Sequence, residues 1–231
     1  MRSRNESSSS VARLLGLAGL GFALFGGAGE LCADTNVARP PPASFGELLA
    51  GFKETTGIDA RFEEEKYLAL LAAPLRSSGR LYFAPPSSLL RRVEKPRPQD
   101  ILVAENQVRI SDESGVQIID LDARRELRPL VESMIWIFTG DLESLERTYR
   151  VDYQVFEGTN GEGNRWQVRL IPKRVPLSQV VRELRVSGSG RVADTLELEE
   201  TSGDRTLTRI IDVNTQRRFD AAERREFFAS P

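Results

Sequence analysis

Apolar residues recur at every second position through most of this chain, and that period constrains the fold more than any motif. In residues 165–171, Trp166, Val168 and Leu170 alternate with Gln167 and Arg169; in 150–156, Val151, Tyr153 and Val155 alternate with Asp152 and Gln154. Period two places such residues on one face of a half-buried strand. The same reading covers 58–73, 79–84, 89–93, 100–103, 108–110, 116–121, 184–188, 191–199 and 206–213, about eleven strands in all. Short turns join them: 85–88 (Pro-Pro-Ser-Ser), Glu105-Asn106, 112–115, 160–164, 188–190 and 202–204. Short connections give an antiparallel meander rather than β-α-β units.

One helical interruption breaks the series. Leu127, Leu130, Val131, Met134, Ile135 and Phe138 keep a helical spacing, Pro129 falls in the tolerated first turn and Gly140 closes the segment. Trp136 and Ile137 lie off that stripe, so the last turn is apolar on nearly all sides and must meet a second apolar surface. Asp141 can cap a further turn carrying Leu142 and Leu145. A shorter helix is predicted after Ser44, with the capping spacing Ser44-x-x-Glu47 and an apolar face of Phe45, Leu48, Leu49 and Phe52. A short helical turn is predicted after Pro176. A sheet of this size with one apolar face must curl or be covered. The expected architecture is mainly β (α+β): a curled, unclosed antiparallel half-barrel of about eleven strands with an α-helical lid.

The best-marked stretch is 79–96. Gly79 opens it, Leu81 and Phe83 alternate with Arg80 and Tyr82, and residues 89–93 return, ended by Pro96. Before it, Glu63-Glu64-Glu65 reads as a solvated strand edge, and the apolar run 67–72 as the end of one long strand. The tail, 217–231, is charged, with Phe219, Phe227 and Phe228 as anchors.

The N-terminus has its own pattern. Arg2, Arg4 and Arg13 precede the uncharged run 14–29, which is short for a membrane span and rich in glycine. A basic region, a short apolar region and small residues describe a secretory signal peptide over 1–33, cleaved after Ala28 or after Ala33. Residues 34–43, with Pro40-Pro41-Pro42, form a linker, and 44–231 the domain. Export implies a periplasmic location.

Composition removes many chemistries. The 231 residues include no histidine and one cysteine, Cys32, so no histidine-based triad, internal disulfide or cysteine metal site is expected. The 32 basic and 34 acidic residues leave no electrostatic footprint for nucleic acid. No catalytic, cofactor or metal motif is present. What is left is apolar surface that either fills a core or lines a lipid cavity. The candidate cavity residues are Leu81, Phe83, Leu102, Ile118, Ile135, Trp136, Phe138, Tyr153, Val155, Trp166, Val168, Leu170, Leu196 and Leu198.

Leu81-x-Phe83-x-x-Pro86, a return strand ended by Pro96, and Ile101-Leu102-Val103 before a turn resemble the periplasmic outer-membrane lipoprotein carrier (LolA) family. The helix around 130–138 and Trp166-x-Val168-x-Leu170-x-Pro172-Lys173 follow in matching order, so the resemblance spans roughly 44–213. It implies a half-barrel with a helical lid over a cavity for the acyl chain of a lipoprotein or another lipid. It also implies a monomeric carrier with an inner-membrane donor and an outer-membrane acceptor, and no enzyme. The family's basic residue before the proline is replaced by Pro85, and its Asp-Gly turn by Glu105-Asn106; Arg91 and Arg92 lie on the return strand and take no assigned role. These departures point to a divergent branch. A lipid-sensing regulatory protein of the same fold is the rival reading, and a carboxylate-dependent hydrolase the third.

Overall fold

The computed structural model describes residues 42–124, 128–157 and 164–229. The segments predicted as signal peptide and, for the most part, as linker, together with Leu127 and most of the predicted 160–164 turn, lie outside the described residues. Helix α1 is Phe45–Phe52. Strands β1 Ile58–Tyr67, β2 Leu75–Ala84, β3 Ser88–Lys95, β4 Gln99–Ala104, β5 Gln107–Asp112 and β6 Gly115–Asp120 follow. Helices α2 Arg128–Thr139 and α3 Leu142–Thr148 come next, then β7 Tyr149–Phe156, β8 Arg165–Pro172 and a 3-10 turn, Leu177–Gln179. The chain closes with β9 Val181–Ser189, β10 Val192–Glu200, β11 Arg205–Asn214 and helix α4 Ala221–Phe228.

The strands form one antiparallel, unclosed sheet in the order β6-β5-β4-β3-β2-β1-β11-β10-β9-β8-β7. Two consecutive meanders therefore meet at one seam, where Phe62 pairs with Ile210 and Glu64 with Thr208. The α2–α3 segment connects the two outermost strands, β6 and β7.

Local chemistry accounts for the elements. Ser44 caps α1 by accepting from Glu47 N at 3.2 Å, as its spacing predicts. Glu105 and Asn106 both have positive φ (48° and 66°), the conformation a two-residue hairpin needs. Gly79 is required for another reason: a Cβ there would lie 2.0 Å from Arg92 O, where the β2–β3 register shifts.

Three expectations are corrected. The long strand 58–73 ends at Tyr67, because β1 turns there and Leu75 starts β2, so the apolar run 68–74 is a connection, not a strand. Gly79 accordingly sits inside β2 and does not open it. Glu64 is buried rather than solvated, because alternation puts it on the same face as Ala60 and Phe62, where Arg91 lies against it, while Glu63 stays exposed. The charged tail contains α4, capped reciprocally by Asp220 and Glu223, and Phe219 and Phe228 are buried as its anchors.

Candidate functional site

The two faces of the sheet carry separate apolar clusters. On the inner face, Ile58, Ala60, Leu81, Phe83, Leu89, Ile101, Val103, Val108 and Ile110 from the first meander join Trp166, Val168, Leu170, Val186, Leu196 and Leu198 from the second. Helices α1 and α2 cover them. From α1, Phe45, Leu48, Leu49 and Phe52 point into the cluster, and from α2 Leu130, Val131, Met134, Ile137 and Phe138. Phe138 stacks on Phe83 with ring centroids 4.5 Å apart, which ties the lid to the hairpin.

Eight of the fourteen predicted cavity residues lie buried in this one cluster: Leu81, Phe83, Phe138, Trp166, Val168, Leu170, Leu196 and Leu198. Ile135, Trp136 and Tyr153 pack against it half-buried. Ile137, read as off the stripe, is fully buried, while Ile135 sits at the margin. Three residues are misplaced by the sequence reading. Leu102 belongs to the outer cluster, because Ile101 and Val103 take the inner face and alternation sends it outward. Ile118 likewise points outward opposite Ile119 and is 49% exposed. Val155 is 42% exposed near the end of the edge strand, β7. The α1 residues were read as ordinary packing; their capping and spacing were visible, but not which face they would cover.

Few polar contacts fasten the lid. Tyr153 Oη donates to Pro42 O at 2.6 Å beside Phe45, and burial pushes its phenol up to about 12. Ser133 Oγ donates to Pro129 O and accepts from Tyr149 Oη at 2.6 Å. Tyr149 is buried, and desolvation raises its phenol to about 12. On the sheet side, Trp166 Nε1 donates to Gly190 O at 3.0 Å, and a Cβ on Gly188 would lie 2.6 Å from the Trp166 ring, so only glycine leaves that indole its place. Between α1 and Trp166, Val168, Leu170 and Val186 there is no room for a water. The lid is shut.

The inner face turns polar away from α1. Arg91, 3% exposed, places Nη2 2.9 Å from Glu64 Oε1, and its guanidinium lies 4.3 Å from the Phe62 ring centroid. Ser77 Oγ and Thr208 Oγ1 each donate to Glu64 at 3.2 Å. Desolvation pulls Arg91 below its ordinary value, with the Glu64 carboxylate opposing. Among the described residues, Arg91 Nε finds no acceptor. Lys66 and Glu200 form a second pair at 3.3 Å further along. Sequence could have flagged Arg91 only by its place: it sits between Leu89 and Val93, two residues from each on an alternating strand.

The sequence matches the family described as outer membrane lipoprotein carrier protein LolA-like over residues 39–222. The chain belongs to this LolA-like family. No curated protein matches it in sequence. Similar solved structures include a LolA superfamily protein from Nitrosomonas europaea, 10% identical, covering 73% of this chain and 90% of that one at a TM-score of 0.39. The Mycobacterium tuberculosis lipoprotein LppX is 11% identical, covering 77% and 100%, at 0.41. A complex structure of Pseudomonas aeruginosa MucA/MucB is 11% identical, covering 76% and 56%, at 0.43. The family match and the lidded half-barrel agree with the resemblance seen in the hairpin and the Trp166 strand.

Proposed function

We propose that this LolA-like protein is a periplasmic carrier that holds acyl chains non-covalently between its helices and the inner face of the sheet. It moves a lipoprotein or another lipid from an inner-membrane donor toward an outer-membrane acceptor. The observation that carries this reading is a continuous apolar sheet face covered by helices with few polar tethers.

Magnitudes favour exchange over permanent closure. Lifting α1 exposes Phe45, Leu48, Leu49 and Phe52 at about 1.5–3 kcal/mol each, on the order of 6–12 kcal/mol. A sixteen-carbon chain entering the vacated space gains about 0.8 kcal/mol per CH₂, on the order of 12 kcal/mol. The two terms nearly cancel. A chain would therefore be sheltered from water and still released without covalent chemistry.

Delipidated protein titrated with a fluorescent fatty acid or lipopeptide tests the reading. Saturable binding is expected, and absence of saturation with both probes would sink it.

A further inference from the structure

The connection between β1 and β2 is chemically odd for a loop. Leu68-Ala69-Leu70-Leu71-Ala72-Ala73-Pro74-Leu75 contains no charge and no polar side chain. Hairpin tips in water are normally built from Gly, Asn, Asp and Ser. Here Leu70 is 96% exposed, and Leu71 and Leu75 are about half exposed. The tip has a defined shape, because Leu71 N donates to Leu68 O at 2.9 Å and Ala69 N to Asp204 Oδ1 at 3.0 Å.

Neighbouring connections extend the surface. The 201–204 turn is tied to the segment before β9, with Thr201 N donating to Val180 O at 3.0 Å and Thr201 Oγ1 to Gln179 O at 2.7 Å. That segment carries Lys173, Arg174 and Val175, the last 65% exposed. Three carboxylates around the tip are engaged: Glu200 with Lys66, Glu65 with Arg76, and Asp204 with the tip's own backbone. Lys173 Nζ donates to a backbone carbonyl, Glu146 O.

We propose that this end of the sheet docks on a lipid bilayer bearing anionic headgroups, with Leu70 and Leu71 entering the boundary between headgroups and acyl chains. Interfacial binding scales with buried apolar area plus attraction of basic residues to anionic lipid, and both are present here. A protein partner fits the tip less well. Protein interfaces concentrate Trp, Tyr and Arg anchors, whereas this tip offers only Leu, Ala and Pro. The inference stands independently of acyl-chain binding, since none of these residues belongs to the inner cluster.

The full chain carrying L70W tests it, by its emission minus that of the unsubstituted chain on phosphatidylcholine vesicles with and without phosphatidylglycerol. The added indole should shift to the blue and be quenched by lipids brominated on their acyl chains. Adding L71E should weaken vesicle insertion roughly tenfold, and K173E with R174E should remove the preference for phosphatidylglycerol. An added indole that keeps its aqueous emission on vesicle-bound protein would overturn the proposal, as would protein that ignores both vesicles. A blue shift that needs a second protein instead of lipid would overturn it too. An L70E variant should keep fatty-acid uptake, so loss of docking and loss of cargo binding are separable.

Discussion

The two faces of this sheet are covered by helices in different ways. Inside, α1 and α2 lie over strands that are mostly aliphatic, with Phe83 and Trp166 among them and few polar ties among the described residues, and the cluster draws on both meanders. Outside, α4 clamps one small patch made of Tyr82, Ala84, Leu90, Leu102 and Ala104. There Phe227 stacks on Tyr82 at 4.9 Å, with Arg92 5.5 Å from its ring centroid, and Phe219 meets Phe228 edge-on at 5.1 Å. Aromatic edges specify angle as well as contact, whereas aliphatic packing asks only for area and fit. The outer cover is suited to staying put. The inner cover is suited to being replaced by another hydrocarbon.

Removing one ring from each cluster sharpens that contrast. Phe83→Ala should cost about 3–5 kcal/mol in denaturant unfolding, and Phe219→Ala less, since its small cluster near the chain end can relax. Equal costs would mean the two clusters are equivalent. Next comes the polar half of the inner face. Arg91→Leu alone should lose about 3 kcal/mol by stranding the Glu64 carboxylate, while the double variant with Glu64→Leu should regain most of it. A double variant as unstable as the single one would show that the pair itself is stabilising.

Alkali should attack the inner cover. A phenol whose folded pKa is raised contributes stability that is full below its unfolded value near 10 and is lost as pH climbs toward about 12. Tyr149 accounts for about 3 kcal/mol across that window, with Tyr153 adding to the same loss. Tyr149→Phe should flatten this fall when melting temperature is followed from pH 9 to 12. An unchanged slope would assign the alkaline loss to other groups. Smaller still is the effect on uptake: Val168→Trp should weaken fatty-acid binding about tenfold, near 1.4 kcal/mol, whereas Leu102→Trp on the outer face should not. If both weaken it alike, the faces do not differ in cargo. Smallest is the outer helix cap, where Asp220→Ala should cost about 1 kcal/mol and leave uptake intact.

Legibility in the sequence followed the strength of alternation. The second meander was read nearly as it stands because Trp166, Val168 and Leu170 alternate with charged or amide residues, leaving one choice of face. Leu102 was misassigned because residues 101–104 are uninterruptedly apolar. That is the signature of a strand buried on both sides, and the partner on its second side, α4, lies in a tail whose charge hides its helix and leaves only its phenylalanines legible. Residues 67–72 failed for a related reason, since an apolar run in a turn and one in a strand look alike without the pairing partner. Glu64 could not be placed because its burial depends on Arg91 and Thr208, 27 and 144 residues away, and only the register brings them together.

The seam has a consequence for how the chain assembles. Every other strand pair joins consecutive strands, but β1 must wait for β11, so residue 62 meets residue 210 only after nearly the whole domain has been made. Loop-closure entropy grows slowly with length, yet it falls on this single pairing, which makes the seam the natural last step of folding. Gly57 and Gln216 already sit side by side across it. A circular permutant that joins residue 229 to residue 42, and is opened between β6 and α2, would keep both α1 and α4 while cutting the sequence distance between β11 and β1, and it should fold faster than the parent to the same sheet.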